Sequence, residues 1–119
     1  MEVSETGNTE ESTCCLCGRR YPLSLMIAAH IKARSECSRR ERLDAENIVF
    51  GVCLLGCDAL YERGLVSVGA KRKIYVSSPA TMTRSLATFL RQLKRRKCAA
   101  WRESNAVYFD WHLTHQFLG

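Results

Sequence analysis

The 119-residue sequence lacks the features that would place it in or beyond a membrane. No run reaches the roughly 18 consecutive apolar residues that a membrane-spanning helix requires. No signal peptide precedes the first cysteine, and there is no internal repeat. We therefore expect one small cytoplasmic domain that has no membrane partner and lies in a reducing compartment.

Positive charge is absent from the first twelve residues and concentrated in the rest of the chain. Residues 1–12 contain four glutamates and few apolar side chains, which predicts a disordered acidic tail. The whole chain carries a net charge of +6, so removing these four negative charges leaves +10 on residues 13–119. Such a basic domain favours a polyanionic partner such as nucleic acid, although charge that only aids solubility gives the same total.

Seven cysteines are many for a reducing compartment, where paired cysteines bind zinc more readily than they form disulfides. Four of them form two close pairs in the sequence: Cys14 with Cys17, and Cys53 with Cys57. Four thiolates make a closed tetrahedral zinc site, which would stabilise a small core, so we predict a structural zinc ion here. Cys15 or Cys37 could replace one ligand, and the second pair could instead be small buried residues.

Apolar and β-branched residues predict two strands and a short helix around a charged segment. The strands are predicted over residues 24–31 and 48–53, and the helix over residues 58–63, with Gly64 as its C-cap. The segment 34–46 is rich in charge and predicts a loop or one short helix. Residues 65–68 and 73–77 predict a β-hairpin, which makes the fold α+β.

The last third of the chain, residues 78–119, predicts a C-terminal helical extension. Ser78 and Pro79 are typical of a helix start. The apolar stripe that follows has helical spacing and consists of Met82, Leu86, Phe89, Leu90 and Leu93. Ser104 or Asn105 could cap a last helix, which contains Val107, Tyr108, Trp111, His112 and His115. Packing in this helix is the simpler explanation of His112.

Three groups of residues follow one another in the order of one nuclease core. The segment 29–32 (Ala-His-Ile-Lys) places His30 at the end of the first predicted strand, and Asn47 precedes the second. The segment 57–64 (Cys-Asp-Ala-Leu-Tyr-Glu-Arg-Gly) opens the short helix with Asp58. In this order residues 13–77 resemble the HNH endonucleases, in a restriction-type, zinc-knuckle variant. The resemblance implies a ββα-metal core with a zinc knuckle, extended by the hairpin and two C-terminal helices.

The resemblance also implies an activity, that of a metal-dependent DNA endonuclease that hydrolyses phosphodiester bonds. His30 would be the general base, Asn47 would fix the loop and the orientation of His30, and Asp58 would bind the catalytic metal. Asp58 stands where the family has a histidine, and its carboxylate suits Mg²⁺ or Mn²⁺ better than zinc. Alternatively, Asp58 is a plain helix N-cap.

One departure from the family leaves a metal ligand unassigned. The residue before the family's histidine is often aspartate or histidine, whereas here it is Ala29. The second ligand would then come from another side chain: Asp44, Glu62, Asn47 or a histidine of the last helix. The alternative function is a non-catalytic zinc-containing DNA-binding module with a degenerate HNH site.

Basic side chains near His30 and in two further runs are the predicted contacts to nucleic acid. Lys32 and Arg34 lie close enough in sequence to His30 to hold the scissile phosphate. Two further sets are expected to contact phosphates, or else to form solvated faces: Arg39 with Arg40, and the run Lys94, Arg95, Arg96 and Lys97. Double-stranded DNA is the favoured partner, RNA is the alternative, and the restriction-type resemblance implies a homodimer.

Overall fold

A computed structural model describes residues 10–78 and 82–119 of the chain. The strands are β1 (Glu11–Thr13), β2 (Arg20–Pro22), β3 (Met26–His30), β4 (Val49–Cys53), β5 (Val66–Gly69) and β6 (Lys73–Val76). They pair as three antiparallel two-stranded sheets, β1 with β2, β3 with β4 and β5 with β6. The helices are α1 (Arg39–Arg42), α2 (Cys57–Glu62), α3 (Arg84–Lys94) and α4 (Ala106–His115). The predicted α+β class is confirmed.

The last two residues of the segment predicted as an acidic tail, Glu11 and Ser12, belong to a strand. Residues 1–9 of that segment lie outside the described part of the chain. Glu11, however, lies in β1 opposite Pro22, and its carboxylate pairs with the Arg20 guanidinium at 3.3 Å. Arg20 also donates to the Thr13 hydroxyl at 2.9 Å. These cross-strand contacts place the start of the fold at least two residues before residue 13.

The central hairpin, β3 with β4, carries His30 at the end where the connection between the two strands begins. In it His30 lies opposite Val49, and the Ile31 amide donates to the Ile48 carbonyl at 2.7 Å. The charged connection contains α1, whose capping box is formed by Ser38 and Glu41. A short helix in this connection was one of the two predicted possibilities. The first strand begins at Met26 rather than residue 24, because residues 23–25 form a 3₁₀ turn.

An aromatic cluster joins this hairpin to the helices. Phe50 of β4 meets the ring of Tyr61 from α2 at 4.8 Å and the ring of Phe109 from α4 at 5.4 Å, both edge-to-face. Phe109 is fully buried, and edge-to-face pairs add stabilisation beyond the area they bury. α4 also packs against β5, and α3 against β6. The core therefore runs from β4 outward to the C-terminal helices.

The C-terminal extension consists of α3 and α4, but α3 starts later than predicted. Its N-cap is Thr83, whose hydroxyl accepts from the Leu86 amide at 3.2 Å. The predicted cap, Ser78, instead donates its amide to the Gly119 carbonyl at 3.2 Å, and Pro79 lies outside the described residues. α4 follows Asn105, as predicted. Within the described ranges, none of the helices has the length and apolar character needed to cross a bilayer.

Candidate functional site

Four cysteines from three parts of the fold converge on one buried point. Cys14 and Cys17 come from the turn between β1 and β2, Cys53 ends β4, and Cys57 begins α2. All four are buried, and their sulfur atoms lie within 4.8 Å of one another. Four sulfurs bound at about 2.3 Å to a tetrahedral ion would lie roughly 3.8 Å apart. The cluster can therefore hold a metal ion after a small contraction, and the predicted grouping of these four residues is confirmed.

Backbone amides support a negative charge on Cys14. Its sulfur accepts from the amides of Cys53 at 3.4 Å and Cys17 at 3.5 Å. The neighbouring Cys57 thiol lowers the pKa of Cys14 to about 4, whereas the same contact raises the pKa of Cys57. Because metals bind the thiolate and not the thiol, this environment favours metal binding at Cys14.

The two spare cysteines considered as substitute ligands lie apart from the cluster. The Cys37 thiol donates to the carbonyls of Ala33 at 3.4 Å and Lys32 at 3.6 Å, in the connection that follows β3. The Cys15 amide donates to the Gly51 carbonyl at 2.9 Å, which fixes the turn along β4. The structure therefore assigns the cluster to the two predicted pairs.

The turn that carries the first pair also contacts the far end of α3. Gly18 has a φ of +74°, a left-handed conformation that favours glycine. The guanidinium of Arg96 lies over it so closely that a Cβ at Gly18 would overlap it. One predicted DNA contact therefore packs against the cysteine cluster.

A pocket of about 380 Å³ lies between the end of β3, the segment after it, α2 and α4. It brings together four residues that sequence analysis considered for catalysis or phosphate binding: His30, Arg34, Asp58 and Glu62. His30 and Asp58 are partly buried. Burial raises the pKa of Asp58, and the negative charge of Glu62, one helical turn later, raises it further. Asp58 also directly follows Cys57, so this pocket lies next to the four-cysteine cluster.

His112 closes the inner wall of the pocket and is fully buried. Its ring stacks on Tyr61 at 3.6 Å. Nε2 lies 2.8 Å from the Tyr61 carbonyl, which can only accept, so Nε2 carries the proton and Nδ1 accepts from the Ser67 hydroxyl at 2.7 Å. Burial lowers the pKa of His112 to about 4. Both ring nitrogens are occupied, which removes His112 from the candidate metal ligands.

Asn47 lies outside the pocket, in the turn that leads into β4. Its amide group donates to Asp44 Oδ1 at 2.9 Å, and its Oδ1 accepts from Arg102 at 3.2 Å. Tyr108 donates to the other Asp44 oxygen at 2.7 Å. The Tyr108 hydroxyl, followed by the Asn47 amide, lowers the pKa of Asp44. These bonds hold the loop in place, and they leave Asp44 bound within it rather than facing His30.

The predicted nucleic-acid contacts fall into two classes. Lys32 is already paired with Glu41 at 2.9 Å and lies 5.6 Å from the centre of the Trp111 ring. The remaining cations are exposed: Arg34, Arg39, Arg40, Lys94, Arg95 and Arg96. Phosphate binding by any of these residues stays a prediction, and Arg34 alone among them lines the pocket.

Sequence reasoning did not foresee how Arg102, Ser67 and Tyr61 support this region. Arg102 binds the loop of Asn47, and the other two hold His112. These contacts join residues 45 to 56 positions apart, and no local spacing pattern signals such pairs.

In comparisons with known proteins, no family model matches the chain and no curated protein matches it.

Proposed function

We propose that this protein is a metal-dependent DNA endonuclease of the HNH type, with zinc in the four-cysteine cluster and Mg²⁺ or Mn²⁺ in the adjacent pocket. The observation that carries the proposal is the meeting of His30 and Asp58 in one pocket, from separate elements and beside that cluster. Two of the three residue groups on which the HNH resemblance depends thus meet at one pocket, whereas Asn47 lies outside it.

The donor atoms suit the two ions differently. Four thiolates match the soft ligand set of structural zinc. The pocket offers the carboxylates of Asp58 and Glu62 and the imidazole of His30, and hard oxygen ligands suit Mg²⁺ or Mn²⁺. Since His112 and Asp44 are engaged elsewhere, Glu62 is the side chain best placed to supply the ligand that Ala29 cannot.

The reaction is hydrolysis of a phosphodiester bond. His30 takes a proton from water, whose oxygen then forms a bond to phosphorus while the bond to the 3′-oxygen breaks. A divalent ion bound in the pocket would supply positive charge for the crowded phosphate and the leaving oxygen. Arg34, at the rim, neutralises a phosphate oxygen, and Asn47 acts indirectly by holding the loop before β4.

Plasmid nicking with added Mg²⁺ or Mn²⁺ tests this assignment. His30→Ala should lose activity by about 10²–10⁴-fold, the usual contribution of a general base. His115→Ala is the matched control, because His115 is exposed on α4 and does not line this pocket, and it should cut like the parent. Cleavage by His30→Ala at the parent rate would refute the assignment.

A second nicking series tests the metal ligand. Asp58→Ala should be inactive at ordinary metal concentration, and high Mn²⁺ should partly restore it if metal affinity is what was lost. Asp110→Ala, at an exposed aspartate of α4, is the control. No recovery at any Mn²⁺ concentration would mean that Asp58 is not a replaceable metal ligand.

The second candidate function is a zinc-containing DNA-binding module without catalysis. One observation favours it: in the described part of the chain, the four cysteines alone bring three or more metal-ligating side chains within binding distance. Tight DNA binding by the parent, with no nicking in either metal, would establish this reading.

In the nuclease reading, cutting both strands calls for two copies, so sedimentation in the presence of DNA should give a homodimer.

A further inference from the structure

Two basic segments that are distant in the sequence are held side by side. Lys73 and Lys97 form an isolated antiparallel bridge, and the Cys98 amide donates to the Arg72 carbonyl at 2.9 Å. The turn between β5 and β6 therefore lies along the segment that follows α3. We call this surface the basic ridge, and its cations are Lys71, Arg72, Lys73, Lys94, Arg95, Arg96 and Lys97. All seven are exposed, and neither segment contains an acidic residue.

The fold holds the ridge in a costly arrangement. Lys71 and Arg72 have φ values of 62° and 67°, a left-handed conformation that is strained for a residue other than glycine. Seven like charges also repel one another at this spacing. The ion pairs among the described residues involve Arg20 and Lys32, not the ridge. The ridge thus presents fixed, uncompensated charge to solvent.

The ridge continues into a cleft of about 470 Å³. Lys71, Arg72, Trp101 and Arg102 line it, with Glu103 as its one acid. Arg72 donates to the Trp101 carbonyl at 3.3 Å. Arg102 reaches from the cleft to the Glu46 carbonyl at 2.7 Å, in the turn that leads into β4. A path of cations therefore runs from the end of α3 to the turn that precedes β4.

We propose that the basic ridge and this cleft form the main DNA-binding surface and hold the sugar–phosphate backbone of a duplex. The proposal rests on the proposed function for its DNA partner but not for cleavage. The sequence placed a phosphate contact at Lys32 because it lies near His30, but the charge of Lys32 is already neutralised by Glu41. The proposal therefore places the main contacts on the ridge instead. It also adds Lys71, Arg72, Lys73 and Arg102 to the predicted contacts.

The test measures how duplex affinity depends on salt, without Mg²⁺ or Mn²⁺, so that no DNA is cut. Each phosphate contact contributes roughly −0.9 to the slope of log affinity against log salt. The triple variant Lys71→Gln/Lys73→Gln/Lys97→Gln should reduce the slope by about 2 to 3 and lower affinity at least tenfold at low salt. A second triple, Lys94→Gln/Arg95→Gln/Lys97→Gln, should do the same, which guards against misfolding of the first.

Two control variants each remove three positive charges from other parts of the surface. Arg63→Gln/Arg84→Gln/Arg91→Gln lies off the ridge and should keep the parent slope to within about 1. Arg39→Gln/Arg40→Gln/Arg42→Gln tests α1 as the rival surface and should affect the slope less than either ridge variant. Equal or larger losses in the α1 variant, or parent slopes in both ridge variants, would overturn the proposal.

The identity of the polyanion is tested with the parent protein, and the ridge variants then separate the ridge from the proposed function. Stronger binding of the parent to a single-stranded RNA of equal length than to the duplex would overturn the duplex assignment. A parent that binds no duplex at all would refute the proposed function as well. A parent that binds and cuts duplex while both ridge variants bind equally well would refute only the ridge.

Discussion

Lowering the pH from 7 to 5 should destabilise this protein by about 2 kcal/mol through one side chain, His112. Burial lowers its pKa from 6.5 to about 4, so the unfolded chain takes up the proton before the folded protein does. The stabilisation is therefore complete above pH 6.5 and is lost as the pH falls toward 4. One pKa unit corresponds to about 1.36 kcal/mol, which gives a loss of about 3 kcal/mol at pH 4.

The variant His112→Phe isolates this effect from other groups that titrate in the same range. Phenylalanine can keep the stack on Tyr61 but cannot bind a proton. It leaves the Ser67 hydroxyl and the Tyr61 carbonyl without their partner, so the variant should be less stable at pH 7 by about 1–3 kcal/mol. That deficit should narrow by about 2 kcal/mol on going to pH 5, because only the parent loses stability through this residue.

Urea unfolding at pH 7, 6 and 5, with zinc in excess throughout, measures both proteins on one scale. His115→Gln, a change at an exposed histidine, should follow the parent at each pH. A stability difference between the parent and His112→Phe that stays constant from pH 7 to pH 5 would contradict a neutral, doubly hydrogen-bonded imidazole.

Three further changes probe the structure at separate points. Cys17→Ala should abolish tight zinc binding and unfold the domain, since a structural zinc contributes on the order of 10 kcal/mol. The control Cys37→Ala should retain about one zinc per chain by elemental analysis. Equal zinc content in the two variants would contradict zinc binding by the four-cysteine cluster. Tyr61→Phe removes the 2.7 Å bond to the buried Ile31 carbonyl and should cost about 1–3 kcal/mol in urea unfolding. Gly64→Ala should lower the melting temperature by several degrees, because φ at Gly64 is +77° and an added Cβ would overlap the backbone oxygen of Gln116, just after α4. An unchanged melting temperature would refute that geometry.

Local chemistry made much of the fold predictable. The pairs Cys14/Cys17 and Cys53/Cys57 signal a cluster through spacing alone, and the structure brings them together. The short helix was predicted over residues 58–63 and lies at Cys57–Glu62. The prediction is close because Gly64, the glycine expected to end the helix, lies next to it in the sequence. The hairpin strands likewise lie within one residue of the predicted bounds.

The errors arose where distant contacts decide the outcome. Ser78 has the chemistry of an N-cap, but it bonds to Gly119 instead, and Thr83 caps α3. Packing was the simpler explanation of His112, and its burial confirms it, but only the distant Ser67 hydroxyl and Tyr61 carbonyl exclude it as a metal ligand. Asn47 was expected to fix the loop and orient His30; it binds Asp44 and Arg102 within the loop, and its effect on His30 stays a prediction. Zinc, the catalytic metal and DNA stay predictions.

The contact between Arg96 and Gly18 joins two proposed binding sites, one for DNA and one for a metal ion. The guanidinium belongs to the basic ridge, and the glycine belongs to the turn that presents Cys14 and Cys17. If loss of the ion relaxes this turn and weakens DNA binding by some factor, thermodynamic linkage requires bound DNA to tighten metal binding by the same factor. Resistance to a chelator would then increase with DNA concentration. An oxidant that attacks the thiolates would act as an effector of DNA affinity without touching the DNA-binding surface.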